Sequence, residues 1–182
     1  MAGHCEACVG WSVAMALEHV LGLGGAPMAT DEQLLLVHPA EYVESSRAAI
    51  PETVYARLDP DTVVGPKSLD AAYRAAGSVV AAVDLVMGGE MESAFCGVRP
   101  PGQHAESAQS MGFCLFDNIA VGAAHALETY GLERVAIVDF DVHHGNGTED
   151  IFRDESRVLF CSTFEHPFYP FTPLLENTPN RI

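Results

Sequence analysis

The chain has 182 residues, with nine Lys or Arg against twenty-five Asp or Glu, giving a formal net charge of −16. That balance repels phosphate backbones and argues against direct nucleic-acid binding. A hydrophobic content of 48% excludes a disordered chain, and the length suits one domain with a substantial core.

The amino end carries no cationic stretch followed by an apolar one, so no secretory signal is read and the expected location is cytoplasmic. Five cysteines at irregular spacing fit reduced thiols. Cys5-Glu6-Ala7-Cys8, with His4 beside it, is a lone C-x-x-C and a weak metal or redox signal. Trp11 to Leu23 reads as a helix stopped by Gly24-Gly25. Thr30 and Gln33 form a capping box that opens a short helix up to His38-Pro39, and a further helix is expected from Pro39 to about Ala49. Ser68 is expected to cap a longer helix. Its apolar positions Leu69, Ala72, Tyr73, Ala76, Val80, Val83 and Met87 recur at helical spacing up to Gly88-Gly89 and predict a core-facing stripe. The apolar part of that helix, Val79 to Met87, is interrupted by Asp84 and is too short to span a bilayer.

Ala94 to Val98 reads as a strand that delivers a Pro-Pro-Gly-Gln-His loop at its carboxyl end. Asp117 to Tyr130 is a helix ended by Gly131, with His125 expected to pack or face solvent within it. Arg134 to Phe140, RVAIVDF, has the β-branched character of a buried parallel strand. A helical turn near Thr148 to Phe152 and a strand from Arg157 to Cys161, with Ser162 at its end, complete an alternation that predicts a parallel α/β sheet. Ligands in such sheets bind beyond the carboxyl ends of the strands, which is where the polar motifs fall.

The strongest of these motifs is Val138-Asp139-Phe140-Asp141-Val142-His143-His144-Gly145-Asn146-Gly147. Side chains at i, i+2 and i+4 of an extended chain share one face, so Asp139, Asp141 and His143 converge only if the backbone stays extended past the strand. Carboxylate oxygen and imidazole nitrogen are both good zinc ligands. The glycines at 145 and 147 are expected to let the backbone turn tightly beneath them. The competing reading is loop acids beside two solvated histidines.

A second cluster lies upstream, at Arg99-Pro100-Pro101-Gly102-Gln103-His104-Ala105-Glu106 and Gly112-Phe113-Cys114. Together the two resemble the zinc-dependent histone deacetylase family, which includes histone-deacetylase-like amidohydrolases and acetylpolyamine amidohydrolases. The resemblance runs in order through Thr30 to Pro39, the helix near Ser68, and Ser162 to Pro173. It implies a three-layer α/β fold of the arginase/deacetylase kind, a parallel sheet with flanking helices, of which residues 1–182 form an incomplete amino-terminal half. It also implies that Asp141 and His143 bind catalytic zinc, that His104 is the general base, and that Asn146 orients it. Asp139 is implied to be the catalytic-site acid behind the first histidine of the family's tandem pair, where Gln103 stands, and its oxygens, with Ser162 and nearby carbonyls, to hold a structural potassium ion. Gly112, Phe113 and Tyr169 match the narrow channel that admits an acyl-lysine or acyl-amine chain.

Four departures stand out. Gln103 replaces the first histidine of the family's tandem pair, and an amide cannot carry a proton. Phe164 stands in a histidine position, while Phe171 and Pro173 stand in glycine positions. If those glycines need positive φ, phenylalanine there is strained and proline is incompatible. The family's first strand would lie before the Gly3-His4-Cys5-Glu6 segment that resembles its Gly-His-Pro-Glu, where this sequence has Met1-Ala2, and the family's third zinc ligand, an aspartate, and its carbonyl-binding tyrosine are expected beyond Ile182. The expected activity is removal of acetyl groups from acetyl-lysine in proteins or from acetylated polyamines, impaired in this chain by itself, with oligomerisation possible through an unpaired sheet edge. The alternative is a non-catalytic relative that persists as an interaction module. A two-manganese ureohydrolase would want a carboxylate at position 145, where Gly145 stands.

Overall fold

The computed structural model describes residues 24–171. The expected helix at Trp11 to Leu23, the C-x-x-C and Pro173 lie outside the described residues. Helix α1 (Asp31–Leu34) begins with the expected capping box: the Gln33 amide donates to Thr30 Oγ1 at 3.3 Å, and the Thr30 amide donates to Gln33 Oε1 at 2.9 Å. Helix α2 (Ala40–Ala48) starts after Pro39, whose missing N–H costs nothing there. A short antiparallel pair, β1 (Ala56–Arg57) and β2 (Val63–Val64), leads into helix α3 (Ser68–Met87).

Ser68 is the first residue of α3 rather than its cap. Lys67 occupies the cap, and the Ser68 hydroxyl accepts the Gly65 amide at 2.9 Å, fastening the preceding turn instead. Ala72, Tyr73, Ala76 and Val80 of the apolar stripe are buried, but Met87 is exposed. Helix α4 (Asn118–Tyr130) runs as expected from an Asp117 cap to Gly131, which adopts the left-handed conformation at φ 64°. His125 is packed between helices, with Nε2 2.7 Å from Asp84 and Nδ1 3.1 Å from Thr129.

Strand β3 (Val135–Asp139), helix α5 (Asn146–Phe152) and strand β4 (Val158–Ser162) form a parallel βαβ unit. Its register pairs Val135 with Val158 and ends by setting Asp139 directly beside Ser162. Helix α4 is the shared wall of two apolar clusters. Val121 packs with Leu34, Tyr42, Val64, Tyr73 and Phe116 on one side, while Ala123 and Leu127 pack with Ile137, Phe152, Val158 and Phe160 on the other.

Among the described residues the expected strand at Ala94 to Val98 forms no ladder: 94–97 is irregular, Val98 takes part only in a β-bridge, and Phe95 is 88% exposed. Among the described residues no strand lies alongside to supply ladder partners, and its Cys96 thiol instead donates to the Ser78 carbonyl of α3. Among the described residues, the ends of β3 and β4 carry polar motif residues, while the Pro-Pro-Gly-Gln-His loop follows a segment outside any ladder. None of the described helices is long and apolar enough to cross a membrane.

Candidate active site

The polar motif after β3 does not continue the strand. Asp139 Oδ1 accepts the Asp141 amide at 3.0 Å, and Asp141 Oδ1 accepts the His143 amide at 2.7 Å, so two successive side-chain-to-backbone turns curl the chain as soon as β3 ends. Convergence of Asp139, Asp141 and His143 on one face fails for that reason. Among the described residues no three His, Cys, Asp or Glu side chains form a metal cage. The curl does bring Asp141 Oδ1 within 3.0 Å of His143 Nδ1. Asp139 turns inward, where burial raises its carboxyl above the usual range and leaves Oδ2 without a hydrogen-bond partner among the described residues.

The second imidazole of the motif faces elsewhere. His144 is buried, with Nδ1 3.1 Å from Ser162 Oγ and Nε2 3.1 Å from Glu149 Oε2, and its ring packs on Phe164 at 4.5 Å. Gly145 has an ordinary φ of −77°, so it is not needed for a tight turn. It is needed for space: a Cβ there would collide with Asp139 Oδ2. Gly147 likewise shows no positive φ.

His104 arrives from the other motif. The loop that carries it is fastened to the start of α5, because the Gly147 and Thr148 amides donate to the Gln103 carbonyl at 2.9 and 3.3 Å. His104 is 4% exposed, its Nδ1 lies 2.9 Å from Asn146 Oδ1, and its ring meets that of His143 edge-on at 6.0 Å. Burial pushes its pKa down, against the Asn146 hydrogen bond, which pulls it up; the neighbouring His143 lowers it further. The Gln103 side chain lines a cavity of about 600 Å³ together with Val98, Ile119, Val138, Asp139 and Asp141.

Gly112 and Phe113 both have positive φ, at 58° and 67°. Gly112 packs its backbone against the His104 ring so closely that any side chain would strike it. Two residues that the sequence reading missed hold this corner. Asp61 Oδ1 accepts the Gly112 amide and Thr62 Oγ1 accepts the Phe113 amide, each at 3.1 Å. The signal available was the Asp59-Pro60-Asp61-Thr62 turn, whose Asp59 carboxylate accepts the amides of residues 61 and 62 at 2.8 Å.

Phe113 is 63% exposed, whereas Tyr169 sits over the site, its ring 5.1 Å from that of His104 and 5.9 Å from that of His143. Burial, reinforced by nearby Asp61, raises the Tyr169 phenol well above its usual pKa. Phe168, also missed, stacks on His143 at 5.0 Å with planes 10° apart. Phe171 does adopt a positive φ, 60°, as feared for a residue in a glycine position. The structure thus brings together His104, Asn146, Asp141, His143 and Tyr169, with Asp139 and Ser162 side by side behind them.

A buried, tethered imidazole thus stands beside a carboxylate–imidazole pair under an aromatic cover, and comparison with known proteins gives the family in which this arrangement falls. The family model described as the histone deacetylase domain matches residues 12–181. A histone deacetylase-like amidohydrolase of Pseudomonas aeruginosa is 44% identical over 150 residues, covering 82% of this chain and 39% of that protein. A polyamine deacetylase of Mus musculus is 40% identical over 153 residues, covering 80% of this chain and 23% of that protein. Among solved structures, the crystal structure of the HDA15 HD domain superposes with a TM-score of 0.80 at 36% identity, covering 88% of this chain and 48% of that one. The chain belongs to the histone deacetylase family and has its α/β arginase/deacetylase-like fold with parallel strands. It spans less than half the length of these relatives.

Proposed function

We propose that this chain supplies part of the catalytic centre of a zinc-dependent deacetylase that hydrolyses acetyl-lysine or acetylated polyamines. The observation that carries the reading is His104, buried and tethered to Asn146, facing the Asp141–His143 pair under Tyr169. The donor set fits zinc in kind: a carboxylate oxygen and an imidazole nitrogen, Asp141 Oδ1 and His143 Nδ1, stand side by side at 3.0 Å and would be two of its ligands. A third protein ligand would come from outside the described residues. Zinc bound there would supply Lewis acidity toward the amide carbonyl.

The chain's own residues supply the proton chemistry and the walls. A depressed pKa keeps His104 neutral near pH 7, able to accept a proton from water and to return it to the departing amine. Tyr169 packs on the buried His104 and Phe168 stacks on His143, so both imidazoles are bordered by aromatic rings. Asp139 Oδ2, buried and without a hydrogen-bond partner among the described residues, suits a cation, and Ser162 is its register neighbour; the pair would hold a potassium ion. The net charge of −16 suits a cationic substrate, a polyamine or a lysine-rich tail.

A second reading is favoured by Gln103 and by the positive φ of Phe171: a degenerate relative that binds acetylated ligands without turning them over. The experiment is made on the native gene product, with its intact mass recorded. Zinc is measured by equilibrium dialysis, and hydrolysis is followed on an acetyl-lysine peptide and on an N-acetylpolyamine. Zinc-dependent turnover of either supports the enzyme. Binding of both without turnover, in a zinc-replete protein, supports the module.

A further inference from the structure

We infer that Glu106 is a positioning residue: acting through Asn146, it fixes His104 as the Nδ1–H tautomer and leaves Nε2 as the basic nitrogen. The importance of that nitrogen rests on the hydrolase reading above; the tautomer itself rests on hydrogen-bond accounting.

Asn146 is 3% exposed, and each of its side-chain polar groups is engaged. Its Nδ2 carries two hydrogens, one directed at Glu106 Oε1 at 2.9 Å and the other at Met111 Sδ at 3.3 Å. Only Oδ1 remains for His104, and an amide oxygen can only accept. Nδ1 of His104, 2.9 Å away, must therefore be the donor. Rotating the amide by half a turn would set its oxygen against the Glu106 carboxylate, acceptor against acceptor, at a part-buried contact. Glu106 thus chooses the orientation of Asn146, and Asn146 chooses the proton position on His104.

The frame around this relay is rigid. The Glu106 amide donates to the Gln109 carbonyl at 2.9 Å, and Ser107 donates to Asp150 Oδ2 through both its amide and its hydroxyl, at 3.1 and 2.8 Å. Both the loop and the start of α5 are therefore held by contacts other than the relay. Met111 Sδ, a weak acceptor, favours the same amide orientation, and the Glu106 carboxylate is the stronger of the two groups that select it. A neutral imidazole left to itself in water prefers the opposite, Nε2–H form.

The test is nitrogen NMR on the 15N-labelled chain, read by two-bond proton–nitrogen correlations at a pH where the imidazole is neutral, with His104 assigned by the loss of its signals in His104→Gln. The expected result is a single Nδ1–H species. In Glu106→Ala the ratio should move toward Nε2–H by roughly tenfold or more, the scale of losing a charge-assisted hydrogen bond. Glu106→Gln, which keeps an oxygen acceptor, should hold the ratio closer to the parent. Should the alanine variant fail to fold, Glu106→Asp withdraws the carboxylate by one methylene and should move the ratio the same way. An Nε2–H parent protein overturns the inference, as does an unchanged ratio in a folded alanine or aspartate variant. No turnover enters this readout. A zinc-replete native gene product that turns over neither acetyl-lysine nor acetylpolyamine, together with an Nδ1–H His104, would sink the hydrolase reading alone, and an active one with Nε2–H would sink this one alone.

Discussion

His38 Nε2 accepts the backbone amide of Asp117 at 3.0 Å, across 79 positions of sequence, while His38 Nδ1 donates to the Ser107 carbonyl at 3.0 Å. An acceptor at Nε2 and a donor at Nδ1 define a neutral imidazole, and at 1% exposure it is sealed from water. The ring ties the end of α1 to the cap of α4 and to the loop that carries His104. His38→Leu leaves two buried backbone groups without partners and should cost roughly 2–4 kcal/mol, read as a lower urea midpoint.

The same pair sets opposing pH dependences. Burial depresses the pKa of His38 below 6.5, so between its folded value and 6.5 the unfolded chain binds more protons. Stability from this group is present above pH 6.5 and is lost as pH falls below it. Asp117, fully buried with Thr148 donating to Oδ2 at 2.7 Å, is pushed up by burial to about 7 from 3.8. Here the folded state binds more protons, so this group's share of stability declines as pH rises from about 4 to 7. Asp117→Asn keeps an oxygen for the Ala120 amide and cannot ionise. It should raise stability at pH 7 by roughly 1–3 kcal/mol and remove the decline, as urea melts across that range will report.

Gly112→Ala combines a left-handed backbone at φ 58° with a Cβ driven into the His104 ring. The expected loss is roughly 1–3 kcal/mol. The diagnostic part is local: the His104 ring signals should shift most, and a variant whose His104 spectrum matches the parent would contradict the close packing.

Gln103→His restores a titratable ring beside the cavity that Gln103 shares with Asp139, whose Oδ2 lacks a hydrogen-bond partner among the described residues. In the native gene product, acetyl-lysine hydrolysis should rise at least roughly tenfold, within the range that one proton-transfer group contributes. A zinc-replete variant with no gain would favour the binding module.

Asp141→Ala removes one of two adjacent donors. Zinc affinity should fall at least roughly tenfold, measured by competition with a chromophoric chelator, while the urea midpoint stays close to the parent because Asp141 is exposed.

Much of this protein was legible from sequence because its signals are local. The Thr30–Gln33 capping box, the Asp117 cap and Gly131 stop of α4, and the β-branched run of β3 each depend on neighbours within a few residues. The motif residues also lay within segments that sequence alone could single out. What local reading missed was decided by partners distant in the chain. Ala94 to Val98 has strand-like residues, but no described strand lies alongside to complete a ladder. Asp139, Asp141 and His143 have strand-like spacing, but their side chains capture the following amides and curl the backbone. The roles of Asp61, Thr62, His38 and Glu106 arise only when segments forty to eighty positions apart are packed together, because a hydrogen bond is specified by distance and angle in space, and nothing in a residue's sequence neighbourhood encodes either.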